Sequence, residues 1–192
     1  DVCSSDLKEQ AATQLKLDSD IPYLLFFGFI RSYKGLDLLL EALADERLKT
    51  WNTKLIVAGE FYEDSKSYLD TIERLQLQDR VILHTSFIPN NEVNLFFSIA
   101  DLIVQPYKTA TQSGVTQIAY HFEKPMLVTN VGGLAEIVPH VKAGYVAEPN
   151  AIAIADALVE FYQNPSTFAE GIKAEKQKYA WDKLTRAMLD NK

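Results

Sequence analysis

Two cations, Arg31 and Lys34, lie between a glycine and the predicted start of a helix, where they can bind an anion. The apolar run Tyr23–Phe27 predicts a buried strand, and Gly28 ends it. From Leu36 onward the apolar residues follow a helical period. Because the helix macrodipole is positive at this end and disfavours cations, a phosphate bound between the two side chains would account for their position. Two solvated loop charges are the alternative interpretation.

Other candidate binding residues follow the ends of later predicted strands. Gly59 and Glu60 come directly after the second strand, where an ordinary tight turn is the alternative. Ser113 and Gly114 open a predicted helix, whose free N–H groups can bind phosphate or sugar oxygens. A plain helix cap by the Ser113 hydroxyl is the other interpretation of that pair.

A third group lies after the fifth predicted strand. The glycines Gly132 and Gly133 form a loop there, and Glu136 lies just beyond it. Glu136 either faces a ligand or serves as the N-terminal charge of a short helix.

Six predicted strands that alternate with helices must position these residues. The strands are predicted at 23–27, 54–58, 81–84 (running on toward 87), 102–105, 126–129 and 143–147. The helices are predicted at about 8–17, 36–43, 64–75, 93–99, 115–122, 134–138, 152–162 and 167–189. This alternation predicts an α/β fold with a doubly wound, Rossmann-like parallel sheet. Ligands bind beyond the carboxyl ends of such strands, so the candidate residues are expected to converge at one edge.

Composition limits the classes of partner. The chain has 192 residues, which suits one α/β domain, and its net charge is -7. That charge argues against nucleic acid as a partner, so local groups must capture any anion. Cys3 is the single cysteine, which favours a reducing, cytosolic location. The sequence contains no apolar run long enough for a transmembrane helix. Its three histidines have no metal-ligand spacing, so no metal is expected.

Two segments carry a family resemblance. FGFIRSYKGLDLLLEAL and TATQSGVTQIAYHFEKPMLVTNVGGLAEIV, in this order, resemble the C-terminal, donor-binding domain of family 4 glycosyltransferases (group 1 glycosyl transferases of GT-B fold). The first segment is similar to a family variant in which an arginine follows Phe-Gly and precedes Tyr-Lys-Gly. The resemblance implies that Arg31 and Lys34 are the catalytic pair that holds the donor diphosphate.

The resemblance also assigns roles to the other candidates. It implies that Gly28, Gly59 and Glu60 lie beside the donor nucleotide, and that the backbone around Ile88 meets the nucleobase. The remaining donor-binding residues that it implies are Ser113, Gly114, Gly132, Gly133 and Glu136.

The chain departs from the family in one respect. Most members carry two glutamates eight positions apart, near the donor sugar and the ribose hydroxyls. Counted back from Lys124 and Pro125, those positions are Ala110 and Ile118 here. Neither side chain can accept a hydrogen bond.

The implied function is transfer of a glycosyl group from a UDP-, GDP- or ADP-sugar to a glycan or lipid-linked acceptor, with retention of configuration. The resemblance implies no cofactor and no metal, and a cytoplasmic location compatible with peripheral contact at the inner membrane face. Residues 1–7 resemble a translated sequencing adapter, so we interpret them as a non-native leader. Residues 8–192 would then be the donor domain of a protein whose N-terminal acceptor domain is missing, and inactive alone.

Two alternatives belong to other functional classes. Ala110 and Ile118 favour a non-catalytic nucleotide-sugar-binding module. One half of a sugar-nucleotide epimerase is less favoured, because such an enzyme should place acid/base carboxylates and a histidine in the cleft.

Overall fold

The computed structural model describes residues 4–164 and 168–178. Its six strands are β1 (Tyr23–Phe27), β2 (Lys54–Ala58), β3 (Val81–His84), β4 (Leu102–Gln105), β5 (Met126–Thr129) and β6 (Gly144–Ala147). The strands pair in parallel in the order β3-β2-β1-β4-β5-β6. This confirms the predicted doubly wound α/β sheet. Two bounds differ from the prediction, since β3 ends at His84 and β6 begins at Gly144.

Helices cover the sheet and connect its strands. They are α1 (Ser4–Leu15), α2 (Leu36–Leu43), α3 (Lys66–Arg74), α4 (Val93–Ile99), α5 (Gly114–His121), α6 (Leu134–Ile137), α7 (Ala151–Gln163) and α8 (Ala169–Lys178), with 3-10 turns at Ser32–Lys34 and Glu46–Trp51. Helix α1 begins before the predicted start at residue 8 and includes residues 4–7 of the predicted leader. The predicted last helix, 167–189, is observed as α8, and its part beyond Lys178 lies outside the described residues. None of the helices described is long and apolar enough to cross a membrane.

The core lies on both faces of the sheet. Central strand residues such as Leu25, Ile56 and Val104 have at most 1% of their surface exposed, as expected for parallel strands covered on both sides. The predicted apolar stripe of α2 (Leu36, Leu39, Leu40 and Leu43) is buried against this core. This packing fixes the start of α2, and with it the loop that carries the two cations.

Strand order places the candidate site. The chain runs from β1 outward to β3, then returns to pair β4 with β1 on the other side. Loops after β1 and β4 therefore leave the sheet in opposite directions and open a crevice between them, the usual ligand position in a doubly wound sheet.

Candidate functional site

A cleft of about 720 Å³ opens beyond the carboxyl ends of β1 and β4. Its lining includes Gly28 and Lys34 from the loop after β1, and Ser113, Gly114 and Ile118 from the segment that starts α5. Four of the residues that the sequence predicts as binding residues, Gly28, Lys34, Ser113 and Gly114, are thus brought together here. The cleft's other neighbours are mostly uncharged residues of the loop between β4 and α5.

Lys34 supplies the positive charge of the cleft. A Cβ added at Gly28 would lie 3.0 Å from its Nζ atom, so the ammonium lies directly against the backbone at the end of β1. The ammonium also lies 5.7 Å from the ring centroid of Tyr107. Within the described residues, no carboxylate forms an ion pair with it. Burial, aided by the nearby Arg31 charge, lowers the pKa of Lys34 to about 8.

Arg31 is close enough to lower the pKa of Lys34, but its side chain packs outside the cleft. Its guanidinium carbon is 4.0 Å from the ring centroid of Tyr62, a cation–π contact, and Arg31 does not line the cleft. Tyr62 in turn packs edge-on against Phe29. The structure therefore separates the two cations that the sequence predicts as a pair: Lys34 faces the cleft, and Arg31 packs on an aromatic side chain outside it.

The N-terminus of α5 is open to the cleft. Ser113 is at the N-cap position, but its side chain accepts no hydrogen bond from the helix backbone. Its hydroxyl lies 3.2 Å from the hydroxyl of Tyr107 instead. A Cβ added at Gly114 would have no neighbour within 4 Å. The alternative interpretation of Ser113, a helix cap by its hydroxyl, is therefore not observed, and the first N–H groups of α5 remain available to a ligand.

A second cavity of about 250 Å³ adjoins the cleft. It is lined by the predicted residues Gly59, Glu60 and Ile88, and by the exposed aromatic side chains of Phe29 and Phe87. Phe27, Gly28 and Ile118 line both cavities, which are therefore neighbours, and we refer to the two cavities together as the groove. The cleft contains the Lys34 ammonium, and the second cavity is mostly aromatic and aliphatic, with Glu60 and Asn90 as its polar side chains.

Gly59 contributes to the groove through its backbone. A Cβ at this position would lie 2.4 Å from the carbonyl oxygen of Gly28, and φ is +142°. The Gly28 N–H donates to Ala58 O at 2.8 Å, and the Ile30 N–H donates to Glu60 O at 2.8 Å. The glycine is needed where the loops after β1 and β2 touch, which agrees with the alternative interpretation of Gly59 as part of a tight turn.

Gly132 and Gly133 do not line the cleft. A Cβ on Gly132 would lie 1.7 Å from Ala110 O, and one on Gly133 would lie 3.1 Å from Thr111 O. These glycines support the loop that forms the cleft wall. Glu136 is exposed in the first turn of α6 and lines neither cavity. The alternative interpretation of Glu136, a helix-terminal charge, agrees with this position.

The chain departs from the family pattern at Ala110 and Ile118, and both residues line the cleft. Ala110 and Ile118 are half-buried there. As a result, the residues that line the cleft include no aspartate or glutamate. Glu60, in the second cavity, is the acidic residue that the groove contains among the residues described.

Two cleft residues were missed by the sequence reasoning. Tyr107 follows Pro106 at the end of β4, and burial raises its pKa to about 12, so its hydroxyl stays neutral. Tyr33 packs edge-on against it, with centroids 6.3 Å apart, and accepts the Lys108 N–H at 2.7 Å through its carbonyl oxygen. The available signal was the position of Tyr107 just after a strand end, where ligand-facing residues are expected.

The residues that the structure describes contain no group of three or more His, Cys, Asp or Glu side chains placed to hold a metal ion. His140 accepts the Val146 N–H at 3.0 Å, and His84 packs on Phe96. None of the three histidines lines the groove.

A family model and several known proteins match this chain. The model of the glycosyl transferases group 1 matches residues 8–179. A D-inositol 3-phosphate glycosyltransferase of Pseudarthrobacter chlorophenolicus is 25% identical over 88% of this chain and 42% of its own length. The chain spans less than half the length of the curated relatives it matches.

Solved structures share the fold. The C-terminal domain of a group 1 glycosyl transferase family protein (LpcC) from Francisella tularensis superposes with a TM-score of 0.75 at 20% identity, covering 88% of this chain and 89% of that domain. The Anabaena protein Alr3699/HepE, in complex with UDP, gives a TM-score of 0.79 at 19% identity over 99% of this chain and 53% of its own. The Rossmann-like sheet described above is therefore the fold of a GT-B C-terminal domain.

Proposed function

The chain belongs to the group 1 glycosyl transferases, and we propose from this that it binds a nucleotide-diphosphate sugar whose glycosyl group is transferred to an acceptor. Lys34 carries the proposal. It is a half-buried ammonium that faces a cleft and has no ion-pair partner in the part of the chain that the structure describes. Burying a cation in this way is unfavourable unless an anion compensates it. The pKa of Lys34 is lowered for the same reason, because burial disfavours the charged form.

The diphosphate would lie between Lys34 and the start of α5. The uncapped N–H groups at Ser113 and Gly114 and the ammonium face the same cleft, so both can donate to phosphate oxygens. The nucleobase would extend into the second cavity, between the backbone near Ile88 and the aromatic side chains. UDP in the related Anabaena protein supports a nucleotide in this fold.

The proposed chemistry is stabilisation of the departing diphosphate. As the glycosidic bond to the diphosphate breaks, negative charge grows on the leaving oxygen, and Lys34 together with the α5 amides stabilises it. We propose retention of anomeric configuration, no cofactor and no metal. Arg31 can contact the diphosphate only if its side chain leaves Tyr62. We therefore propose that it contributes less than Lys34 to stabilising the departing diphosphate.

The rest of the reaction is proposed to need sequence outside this chain. The acceptor, a glycan or a lipid-linked sugar, would bind to an N-terminal domain across the cleft, in a cytoplasmic protein in peripheral contact with the membrane. The present chain would then bind donor and catalyse no transfer alone.

A non-catalytic nucleotide-sugar-binding module is the second candidate. The absence of acidic side chains from the described cleft lining, with Ala110 and Ile118 at the positions concerned, favours it. Both candidates require the nucleotide, so binding is tested first. Transfer by a full-length protein that includes this domain separates the two. An epimerase half is less favoured, because no histidine lines the groove in the part of the chain described.

Calorimetric titration with UDP, GDP and ADP tests the site. We expect one nucleotide to bind saturably, and Lys34→Met to weaken it at least tenfold, because a charge-assisted contact contributes about 1.5–3 kcal/mol. Lys108→Met is the matched control, since this lysine pairs with Asp37 on the exposed surface at 2.7 Å and lines neither cavity. Equal affinity in both variants would refute the assignment of Lys34.

A further inference from the structure

Phe27, Gly28 and Ile118 line both cavities of the groove, and we call these three residues the waist. Of the residues that line the cleft, Lys34 and Ser113 do not reach the second cavity. Of those that line the second cavity, Glu60 does not reach the cleft. The charged and hydroxyl side chains of the groove thus belong to one end or the other. The waist itself is built from a phenylalanine, a glycine and an isoleucine.

The waist offers a ligand no side-chain hydrogen bond. The side chains of Phe27 and Ile118 contain no donor or acceptor, and Gly28 has no side chain. Three backbone groups here are also engaged. The Gly28 N–H donates to Ala58 O at 2.8 Å, and Ile118 O accepts the Phe122 N–H at 3.0 Å. Ile118 lies inside α5, where its N–H belongs to the helix ladder.

A nucleoside diphosphate bound as proposed must lay its sugar across the waist. Its phosphates lie at Lys34 and its base in the second cavity, and the ribose connects the two. This step rests on the proposed function. The ribose 2′-hydroxyl then lies where the protein offers apolar surface, and a hydroxyl without a partner gains no affinity over a hydrogen atom.

We propose that this site does not distinguish ribose from 2′-deoxyribose, with Ile118 as the residue responsible. Its donor class then includes deoxyribonucleoside-diphosphate sugars as well as their ribonucleotide counterparts. An acidic side chain at position 118 would have the opposite effect, because a carboxylate at the waist can accept hydrogen bonds from ribose hydroxyls.

The test compares each nucleotide with its deoxy form. The chain is titrated calorimetrically with UDP and 2′-deoxy-UDP, with GDP and 2′-deoxy-GDP, and with ADP and 2′-deoxy-ADP. For the base that binds, we expect the two dissociation constants to agree within about twofold. In Ile118→Glu the ribonucleotide should be preferred roughly tenfold, the difference that a hydrogen bond to a charged group supplies. Ile118→Leu, which keeps the apolar waist, should show no preference.

Each outcome has one meaning. Equal binding of the two forms by the wild-type chain supports the inference, and the wild-type comparison decides even if Ile118→Glu fails to fold. A tenfold or greater preference of the wild type for the ribonucleotide overturns the inference while leaving the donor site intact. Failure of all six compounds to bind overturns the proposed function and this inference together.

Discussion

The carbonyl oxygen of Ala110 lies 1.7 Å from the point that a Cβ on residue 132 would occupy. Gly132 also has a φ of +52°, a conformation that other residues adopt at a cost. Because the obstructing atom belongs to the backbone of the cleft wall, any side chain at position 132 must displace that wall.

Gly132→Ala is therefore expected to reduce the free energy of unfolding by about 2–4 kcal/mol. Nucleotide affinity should fall as well, although position 132 lines neither cavity. Urea unfolding and calorimetry measure the two effects. Gly133→Ala is the matched control, because its Cβ would lie 3.1 Å from the nearest atom and should cost much less. Equal losses in the two variants would contradict the prediction.

Nucleotide affinity should decrease as pH rises from 7 to 9. Burial holds the pKa of Lys34 at about 8 in the free protein, so the ammonium is mainly charged at pH 7 and mainly neutral at pH 9. Loss of the charge removes the attraction to the diphosphate. Titrations at several pH values measure the trend, and Lys34→Met should lack it. A wild-type affinity that is constant over this range would show that Lys34 is not the phosphate-binding cation.

Replacing Lys34 should stabilise the fold. Its pKa is lowered on folding from 10.5 to about 8, so the charged form destabilises the native state below pH 8. The stability of the wild type should rise with pH between 8 and 10.5, where the unfolded chain binds the additional proton. Lys34→Met should gain on the order of 1 kcal/mol at pH 7, because solvent screens part of the effect. Denaturant unfolding of both proteins at pH 7 and pH 10 measures the difference, which should narrow at the higher pH.

Larger side chains at position 114 should leave the stability of the fold intact but weaken nucleotide binding. A Cβ there meets no protein atom within 4 Å and projects from the first turn of α5 beside the cleft. Gly114→Ala should unfold at an equal or higher denaturant concentration, since alanine favours the helix by about 0.5–1 kcal/mol. Gly114→Leu should fold but bind nucleotide at least tenfold more weakly. Gln117→Leu, at an exposed position of the same helix outside the groove, is the control. Undiminished binding by Gly114→Leu would place the phosphates elsewhere.

Loss of the Arg31 side chain should weaken nucleotide binding less than loss of the Lys34 side chain. The Arg31 guanidinium packs over Tyr62 at 4.0 Å, outside the cleft lining. We expect Arg31→Ala to weaken nucleotide binding by less than about threefold, against tenfold or more for Lys34→Met. Calorimetry on the two variants side by side gives the comparison. Comparable losses would mean that Arg31 leaves Tyr62 when the ligand binds.

The strands could be predicted because buried parallel strands are short, continuous apolar runs. The bounds of β1, β2, β4 and β5 agree with the sequence reasoning at every residue. Strand ends in turn predicted which loops form the site, since all carboxyl ends of a parallel sheet lie at one edge. Lys34, Ser113 and Gly114 were found in this way.

Side-chain directions within the loops could not be predicted. Arg31 and Lys34 are three residues apart, yet one packs on Tyr62 and the other faces the cleft. Arg31 has an extended backbone conformation, whereas Lys34 belongs to the 3-10 turn that follows, so their side chains leave the chain in different directions. Likewise, no sequence pattern distinguishes a glycine that meets a ligand from one that meets another loop. Gly114 and Gly132 look alike in the sequence and differ in their surroundings.

The loops that form the groove are joined to each other through their backbones. The backbone of Gly59 packs against the carbonyl group of Gly28, and that of Gly132 packs against the carbonyl group of Ala110. The Lys108 N–H donates to Tyr33 O. These segments lose their conformational entropy when the chain folds, so an arriving ligand does not have to order them. Fold stability and the affinity for the proposed ligand are therefore expected to depend on the same contacts. A substitution that loosens one junction will weaken binding without removing any atom that touches the ligand.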